Sequence, residues 1–327
     1  MEGAFSVQVV IYICHIFYSK KKMTYPMEAI MEVIMEYFTF FLFSALRGLN
    51  AITVKMAQKG YIKNLHDSIS FTIYFSFFQL VFLFAIPPWY RYTFRLDMLL
   101  YPACFAVFYL ISYILLISAL KEGPTSLTNI IYSFQSIVPI IVSLILWKES
   151  IGIFQVIGLI LFVIVLLLFN LGSYSEGSES RKISLKWAIL AGFSTLIVGI
   201  AVIFTKQYML TFNGFIKEYL IMYNLIVIII DLPYLIISRI KRNQNFHLDC
   251  RFIFYTASPA LITDITNMIY MLYITKYKSA LFFPLMSILN IISVVILSRV
   301  ILKESVSKTA YAGIILSFAA IYLLGIK

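Results

Sequence analysis

Three charged residues lie inside long apolar runs of this 327-residue chain. They are Arg47 in SALRGLNAITVK, Asp231 in IVIIIDLPYLII and Asp264 in ALITDITNMIYML. A charged side chain in an apolar membrane segment is costly, so it usually faces the interior of a helix bundle, finds a partner and serves a function. A guanidinium can bind a carboxylate or a phosphate through two parallel hydrogen bonds, and a carboxyl group can carry a proton. The chemistry that these residues favour is anion binding and proton transfer.

Two of the charges have a polar neighbour on the same helical face. Asn50 follows Arg47 by three residues, and Asn267 follows Asp264 by three. We expect Asp264 to be the resting partner of Arg47, which releases it when an anionic group arrives. The alternatives are a permanent structural pair, an Arg47 side chain that extends to the membrane interface, and a polar kink in the helix at Asp264.

Asp231 allows two interpretations. Pro233 follows it closely in the sequence, and a proline frees backbone groups that need new partners inside a membrane helix. Asp231 is therefore a candidate for proton coupling and equally a candidate for helix packing or a hinge.

Neutral polar residues in two other apolar runs complete the candidate set. Such residues either contact a substrate or hold neighbouring helices together. The candidates for substrate binding or coupling are Arg47, Asn50, Asn129, Tyr132, Gln135, Asp231, Asp264, Asn267 and Asn290.

The composition indicates that these residues belong to a polytopic membrane protein. The chain is 61% hydrophobic and 13% charged, whereas soluble domains are roughly 45–50% apolar. A run of about 20 apolar residues can cross a bilayer as a helix, which satisfies its own backbone hydrogen bonds. We predict ten transmembrane helices, over 36–57, 68–87, 98–119, 126–147, 151–171, 184–206, 216–237, 252–273, 279–301 and 308–326. The connections are short and leave no room for a soluble catalytic domain.

The positions of the charged residues, cysteines and histidines argue against nucleic-acid binding and against a metal site. Most basic residues of this +11 chain lie at the ends of apolar runs, where they meet lipid headgroups, so we expect no nucleic-acid partner. The three cysteines and three histidines are widely separated. Their spacing matches neither a metal motif nor a disulfide framework, and we expect no metal and no cofactor.

The second half of the sequence repeats the first. A shift of 155 residues aligns the Lys-Glu-Ser motif at 148–150 with the one at 303–305, and aligns Gly158 with Gly313. Apolar segments share Ile and Leu by chance, but they rarely share a charged motif and a glycine in one register. Each motif follows an apolar run, and we expect it to form a solvated, charged turn rather than a substrate contact.

A nearby shift of 151 residues aligns Gly48 with Gly199, so the first predicted helix resembles the sixth. Each copy holds five helices, an odd number, and the second copy must therefore enter the membrane from the opposite side. Inverted repeats of this kind are typical of secondary transporters, which bind substrate near the midplane between the repeats.

We predict four segments in the chain. Residues 35–171 and 184–327 are the two five-helix repeats, and 172–183 is a Gly/Ser-rich and charged linker. Residues 1–34 are a doubtful extension. They are either a mis-assigned translation start or an interfacial helix, since their apolar run is too short to cross a bilayer.

The ends of both repeats resemble those of the drug/metabolite transporter superfamily, EamA type. The matching stretches are SFQSIVPIIVSLILWKESIGIFQVIGLILFVIVLLL at 133–168 and ILNIISVVILSRVILKESVSKTAYAGIILSFAAIYLL at 288–324. The resemblance covers about 35–326. It implies an all-α, polytopic membrane fold of ten transmembrane helices in two inverted five-helix repeats, with helices 1, 3, 4, 6, 8 and 9 around a central cavity. It also implies cytoplasmic termini, which the basic residues of the loops do not favour.

The resemblance predicts a secondary-active transporter that carries a small polar metabolite by alternating access. The metabolite would be an amino acid, an organic anion or a sugar-phosphate-like compound. We expect an integral multi-pass protein of the bacterial cytoplasmic (inner) membrane, not an enzyme, with proton or ion coupling, as a monomer or homodimer in the lipid bilayer. A flippase or accessory membrane subunit handling a lipid-linked sugar is the first alternative, and an integral-membrane enzyme is the second.

One departure from the family bears on the substrate. A small multidrug exporter of the superfamily carries a glutamate inside its first helix. Here Glu36 lies only at the start of that helix and Arg47 lies inside it, which disfavours proton-coupled drug export.

Overall fold

The fold is described from a computed structural model. It describes residues 25–61, 65–85, 92–122, 128, 131–174, 184–242, 249–301 and 307–326, and these form helices and no strand. The helices are α1 (Tyr25–Tyr61), α2 (Leu65–Ala85), α3 (Leu100–Glu122), α4 (Ile131–Leu146), α5 (Ile153–Tyr174), α6 (Leu185–Thr211), α7 (Ile216–Arg242), α8 (Cys250–Tyr273), α9 (Ser279–Ile301) and α10 (Lys308–Gly325). The all-α prediction is confirmed for this part of the chain. The predicted 1–34 extension lies largely outside it.

Seven of these helices are long and apolar enough to cross a bilayer, namely α1, α2, α3, α6, α7, α9 and α10. The helices α4 and α5 are apolar but shorter in the described residues. Helix α8 carries several polar residues in its middle, and its buried residues include Thr256, Asp264 and Thr266. Crossing by all ten helices therefore stays a prediction.

The chain divides after Leu42 into two compact units. In the first unit, the described start of α1 has a Thr39 hydroxyl that donates to the Met35 carbonyl across 2.7 Å. The second unit, Phe43–Lys327, contains the rest of α1 and the other nine helices described above.

Two glycines 155 residues apart make reciprocal contacts between α5 and α10. A Cβ atom on Gly158 would lie 2.8 Å from Leu324 Cγ, and a Cβ atom on Gly313 would lie 3.3 Å from the ring of Phe169. Leu324 and Phe169 are also 155 residues apart. The contact between Gly158 and Leu324 is therefore repeated, with the two helices exchanged, by the contact between Gly313 and Phe169. A twofold relation between the helices produces this pattern.

A second reciprocal pair joins α1 to α9 and α6 to α4. A Cβ atom on Gly48 would lie 3.0 Å from the backbone of Ser293, and one on Gly199 would clash with Val138. Val138 and Ser293 are again 155 residues apart. Glycine is required at both positions because the neighbouring helix approaches to backbone distance.

Helices α3 and α6 are held together by a pair of serines. Ser112 Oγ donates to the Ser194 carbonyl at 2.9 Å, and Ser194 Oγ donates to the Ser112 carbonyl at 3.0 Å. Hydrogen bonds between small residues allow a close approach of two helices in an apolar interior. This contact fixes the face that α3 presents to the interior.

The Lys-Glu-Ser motif at 148–150 lies between the end of α4 and the start of α5, as predicted. Lys148 adopts a left-handed backbone with φ of 49°, which ends the helix and turns the chain back. The second motif, at 303–305, lies outside the described residues.

Candidate functional site

A cavity of about 580 Å³ lies within the second unit. Its described lining residues come from eight helices, α1 to α4 and α6 to α9. The six lining helices that the resemblance implied are all present, and α2 and α7 are additions to them. Among the described residues, α5 and α10 contribute nothing to the wall.

Most of the candidate site residues meet in this cavity. Its wall includes Arg47, Asn50, Tyr132, Gln135, Asn267 and Asn290. The other candidates do not line it: Asp231 and Asp264 lie behind the wall, and Asn129 lies outside the described residues.

Arg47 is the one charged side chain among the described residues of the wall. Its Nη2 donates to Asn267 Oδ1 at 3.1 Å, and its Cζ lies 5.4 Å from the centre of the Phe43 ring. No carboxylate of the described chain forms a salt bridge with it. The expected ion pair with Asp264 is therefore wrong in this structure, because Asn267, one turn along α8, takes that position.

Asp264 is fully buried and faces α2 instead. Its Oδ1 accepts a hydrogen bond from Gln79 Nε2 at 2.8 Å, whereas its Oδ2 has no partner within the described part of the protein. Gln79 itself lines the cavity. The carboxyl group is thus separated from the cavity by one amide side chain.

Asp231 is arranged in the same way. Its Oδ2 accepts a hydrogen bond from Thr72 Oγ1 at 3.0 Å, and Thr72 lines the cavity. Thr72 and Gln79 are seven residues apart and therefore lie on one face of α2. Both acidic residues accept a hydrogen bond from this polar face of α2.

The polar residues of α2 were not among the candidates, because they are uncharged and therefore less conspicuous in an apolar run. The signal was nevertheless present, since Thr72, Ser76 and Gln79 recur at helical spacing within an apolar run. The same face places three polar side chains toward the interior, of which Ser76 and Gln79 are buried.

A row of aromatic rings forms one wall of the cavity. Phe105, Tyr109 and Tyr113 follow one another at four-residue spacing on α3. Phe105 and Tyr109 stack at 5.9 Å with planes 8° apart, and Tyr109 and Tyr113 stack at 6.4 Å with planes 7° apart. Tyr223 of α7 meets Phe105 edge-on, at 5.0 Å and 82°. The four-residue spacing of these rings in the sequence is typical of a stripe along one helical face, although none of these rings was among the candidates.

Several polar atoms of the wall are left without partners. Asn50 Oδ1, Ser136 Oγ and Thr263 Oγ1 are buried and accept or donate no hydrogen bond within the described chain. Buried polar groups are nearly always paired, so these atoms are available for hydrogen bonds with water or with a polar ligand in the cavity. The described residues contain no group of three metal-ligating side chains.

A buried ionic cluster lies directly beside the cavity. Lys206 Nζ is 2.6 Å from Glu149 Oε1 and 2.5 Å from Ser279 Oγ, and the Ser279 backbone N–H donates to Glu149 Oε2 at 2.7 Å. The Lys206 and Glu149 side chains are only 4% and 13% exposed. The adjacent Thr205 lines the cavity.

This cluster, Glu149–Lys206–Ser279, joins three parts of the chain: the turn after α4, the C-terminal part of α6 and the first residue of α9. A carboxylate at a helix N-terminus is favourable because the free N–H groups there carry partial positive charge. Lys206 Nζ also lies 4.6 Å from the centre of a Trp147 ring. The expectation of a solvated turn is thus correct for the exposed Lys148 and wrong for Glu149.

The family model described as "EamA-like transporter family" matches residues 34–171. This segment is similar to the EamA-like transporter family. The EamA-like segment contains Arg47 and the aromatic row of α3, and the resemblance noted in the sequence is confirmed there. With seven described helices long and apolar enough to cross a bilayer, the chain is an integral multi-pass membrane protein.

A solved structure shares the fold beyond the EamA-like segment. A chain described only as "Crystal structure of protein" aligns with a TM-score of 0.65, covering 88% of this chain and 95% of its own, at 10% identity. At that identity the likeness concerns the fold alone. No curated protein matches the sequence.

Proposed function

We propose that the protein is a secondary-active transporter that carries a small polar metabolite across the membrane by alternating access. The observation that carries this proposal is the cavity, whose wall takes four helices from each predicted repeat. Its volume of about 580 Å³ falls in the range of roughly 300–1,000 Å³ that is typical of small-molecule sites. A cavity between two repeats is where transporters of this construction bind substrate.

The reciprocal glycine contacts support the inverted-repeat arrangement. The contact of Gly158 with Leu324 is repeated, 155 residues away, by the contact of Gly313 with Phe169. The contact of Gly48 with Ser293 likewise corresponds to the contact of Gly199 with Val138. Two equivalent halves that meet in this way can exchange their conformations, so that the cavity opens first to one side of the membrane and then to the other.

Arg47 holds the anionic group of the substrate in this mechanism. Most of its N–H donors are unpaired within the described chain, and its bond to Asn267 is replaceable by a bond to the ligand. Asn50, Gln135 and Asn290 supply further hydrogen bonds from the wall.

Asp264 couples transport to a proton. A proton gained or lost at this carboxyl group alters its hydrogen bond with Gln79 and hence the wall of the cavity. Asp231 repeats the arrangement through Thr72 and is the second coupling candidate.

The Glu149–Lys206–Ser279 cluster lies beside the cavity, next to the lining residue Thr205. Through Lys206 and Ser279, it holds α6 and α9 against the turn after α4. A change to the opposite conformation requires these charge-assisted hydrogen bonds to break, and the substrate-bound state must compensate for them.

Counterflow in proteoliposomes tests the proposal. The purified full chain is reconstituted in vesicles that are preloaded in turn with unlabelled amino acids, monocarboxylates or sugar phosphates, and uptake of the matching labelled solute is measured. We expect saturable counterflow with one class and its loss in Arg47→Gln. Conversion of a solute into a product would support the enzyme alternative, and movement of a lipid-linked sugar alone would support the flippase; either result overturns the proposal.

A further inference from the structure

We infer that the cavity selects an aromatic monocarboxylate, a compound with one flat aryl or indole-like ring, one carboxylate and no ammonium group. This inference rests on the proposed function, whose substrate it specifies.

The charges around the cavity favour an anion over a zwitterion. Arg47 is the one charged side chain in the described wall. Asp264 and Asp231 do not line the cavity, and they accept hydrogen bonds from the wall residues Gln79 and Thr72, so neither carboxylate is directly exposed to a ligand. An ammonium group brought into this low-dielectric space would lose its water without gaining a counter-charge, and it would be repelled by Arg47.

The single positive charge also favours a monoanion over a phosphate monoester. A phosphate monoester carries about 1.5 to 2 negative charges near neutral pH. One guanidinium would leave part of that charge unpaired in an apolar surrounding. A carboxylate, by contrast, matches both the charge and the planar fork of a guanidinium.

The aromatic wall favours a flat ring as the body of the ligand. The near-parallel rings of Phe105, Tyr109 and Tyr113 line the cavity, and Tyr223, which also lines it, meets Phe105 and Tyr109 edge-on. Aromatic rings prefer such offset-stacked and edge-to-face neighbours. Tyr109 and Arg47 line the same cavity, so one ligand can contact the guanidinium and the ring row together.

A hydrogen-bond acceptor beside Arg47 adds a further preference. Asn50 Oδ1 is buried, lacks a partner in the described residues and lies one helical turn from Arg47. An acceptor of this kind pairs with a hydroxyl or a ring N–H of the ligand. We therefore expect a donor-bearing ring, such as indole or phenol, to bind more tightly than a plain phenyl ring.

Four indole compounds that differ in charge test the inference on the unmodified protein. Binding of indole-3-acetate, indole-3-acetamide, tryptamine and tryptophan to the purified full chain in nanodiscs is measured by titration calorimetry. We expect indole-3-acetate to bind about tenfold or more tightly than each of the others. Equal or tighter binding of tryptophan, or no binding of indole-3-acetate, overturns the inference.

Three variants locate the effect. Arg47→Gln should weaken binding of indole-3-acetate about tenfold and leave the amide unaffected, while Arg47→Lys should recover part of the loss. Tyr109→Leu should weaken phenylacetate more than cyclohexylacetate, because only the former stacks. An Arg47→Gln protein that binds both indole ligands like the wild type contradicts the assignment of the charge.

Transport of the same compounds separates this inference from the proposed function. If indole-3-acetate binds in an Arg47-dependent way but shows no counterflow, the site assignment holds and the transporter proposal fails. If amino acids or sugar phosphates are transported while indole-3-acetate neither binds nor competes, the transporter proposal holds and the substrate class is overturned.

Discussion

Gln79 donates a hydrogen bond to Asp264 across 2.8 Å, so a side chain of the cavity wall holds a carboxyl group that the cavity does not contact. The link joins α2 to α8 through the most buried acidic residue of the described chain. It provides a route by which the protonation of one group changes the shape of a binding site without direct contact with the ligand.

Asp264→Asn should abolish proton-driven accumulation while the protein still folds. The amide keeps the shape of the carboxyl group and an oxygen that accepts from Gln79, but it cannot bind and release a proton. Uptake driven by an imposed pH gradient is compared with counterflow in the same vesicles, and we expect only the driven uptake to be lost. Driven uptake equal to wild type would remove Asp264 from the coupling mechanism.

Gln79→Leu should lower the free energy of unfolding by about 1–3 kcal/mol, because it leaves the buried Asp264 without its donor. The double variant Gln79→Leu/Asp264→Leu should be more stable than Gln79→Leu alone, since both polar groups are then absent. Thermal unfolding in detergent measures both. Additive losses in the double variant would show that the two side chains are energetically independent.

Glu149→Gln should weaken the junction that Glu149, Lys206 and Ser279 form beside the cavity. Removal of one member of a buried ion pair costs about 3–5 kcal/mol because the other charge is left unpaired, and Lys206 is almost fully buried here. A cysteine introduced at Val202, which lines the cavity, should react faster with a membrane-impermeant maleimide in the Glu149→Gln background. Glu122→Gln, which removes an exposed pair with Lys186, is the control and should leave the labelling rate unchanged.

Gly199→Ala should destabilise the protein by about 1–3 kcal/mol, because the added Cβ atom would meet Val138 and lie 2.8 Å from the Gln135 carbonyl oxygen. Gly192 lies two turns earlier on the same helix and has nothing within 4 Å of such an atom. Gly192→Ala should therefore be neutral or stabilise the helix by up to about 1 kcal/mol. Equal changes in melting temperature for the two variants would contradict the close contact of α6 with α4.

The helices could be predicted from the sequence because each is a long apolar run between polar residues. The predicted span 279–301 coincides with α9, and the predicted 216–237 lies within α7. The first predicted span, 36–57, is shorter than α1, which begins at Tyr25 and ends at Tyr61. Apolar residues mark only the part of a helix that can lie in the membrane, whereas the backbone hydrogen bonds of a helix form with polar side chains as well.

The site was predicted less completely than the helices. Arg47 and Asn267 were correctly placed among the candidates because charge and polarity in an apolar run are conspicuous. Their pairing could not be derived, since it depends on the rotation of α8 about its axis. Residues three apart on an α-helix differ by about 60° around its axis, so a rotation of that size decides whether Asp264 or Asn267 faces α1, and the sequence pattern is compatible with both.

The reciprocal glycine contacts have a consequence for the integrity of the chain. The grooves made by Gly48 and Gly158 are filled from the second half, and those made by Gly199 and Gly313 are filled from the first. Each half alone would therefore expose grooves at its glycines that the other half fills in the complete protein. A gene divided between residues 175 and 183 should yield two fragments that persist in the membrane when synthesised together and are degraded when either is made alone.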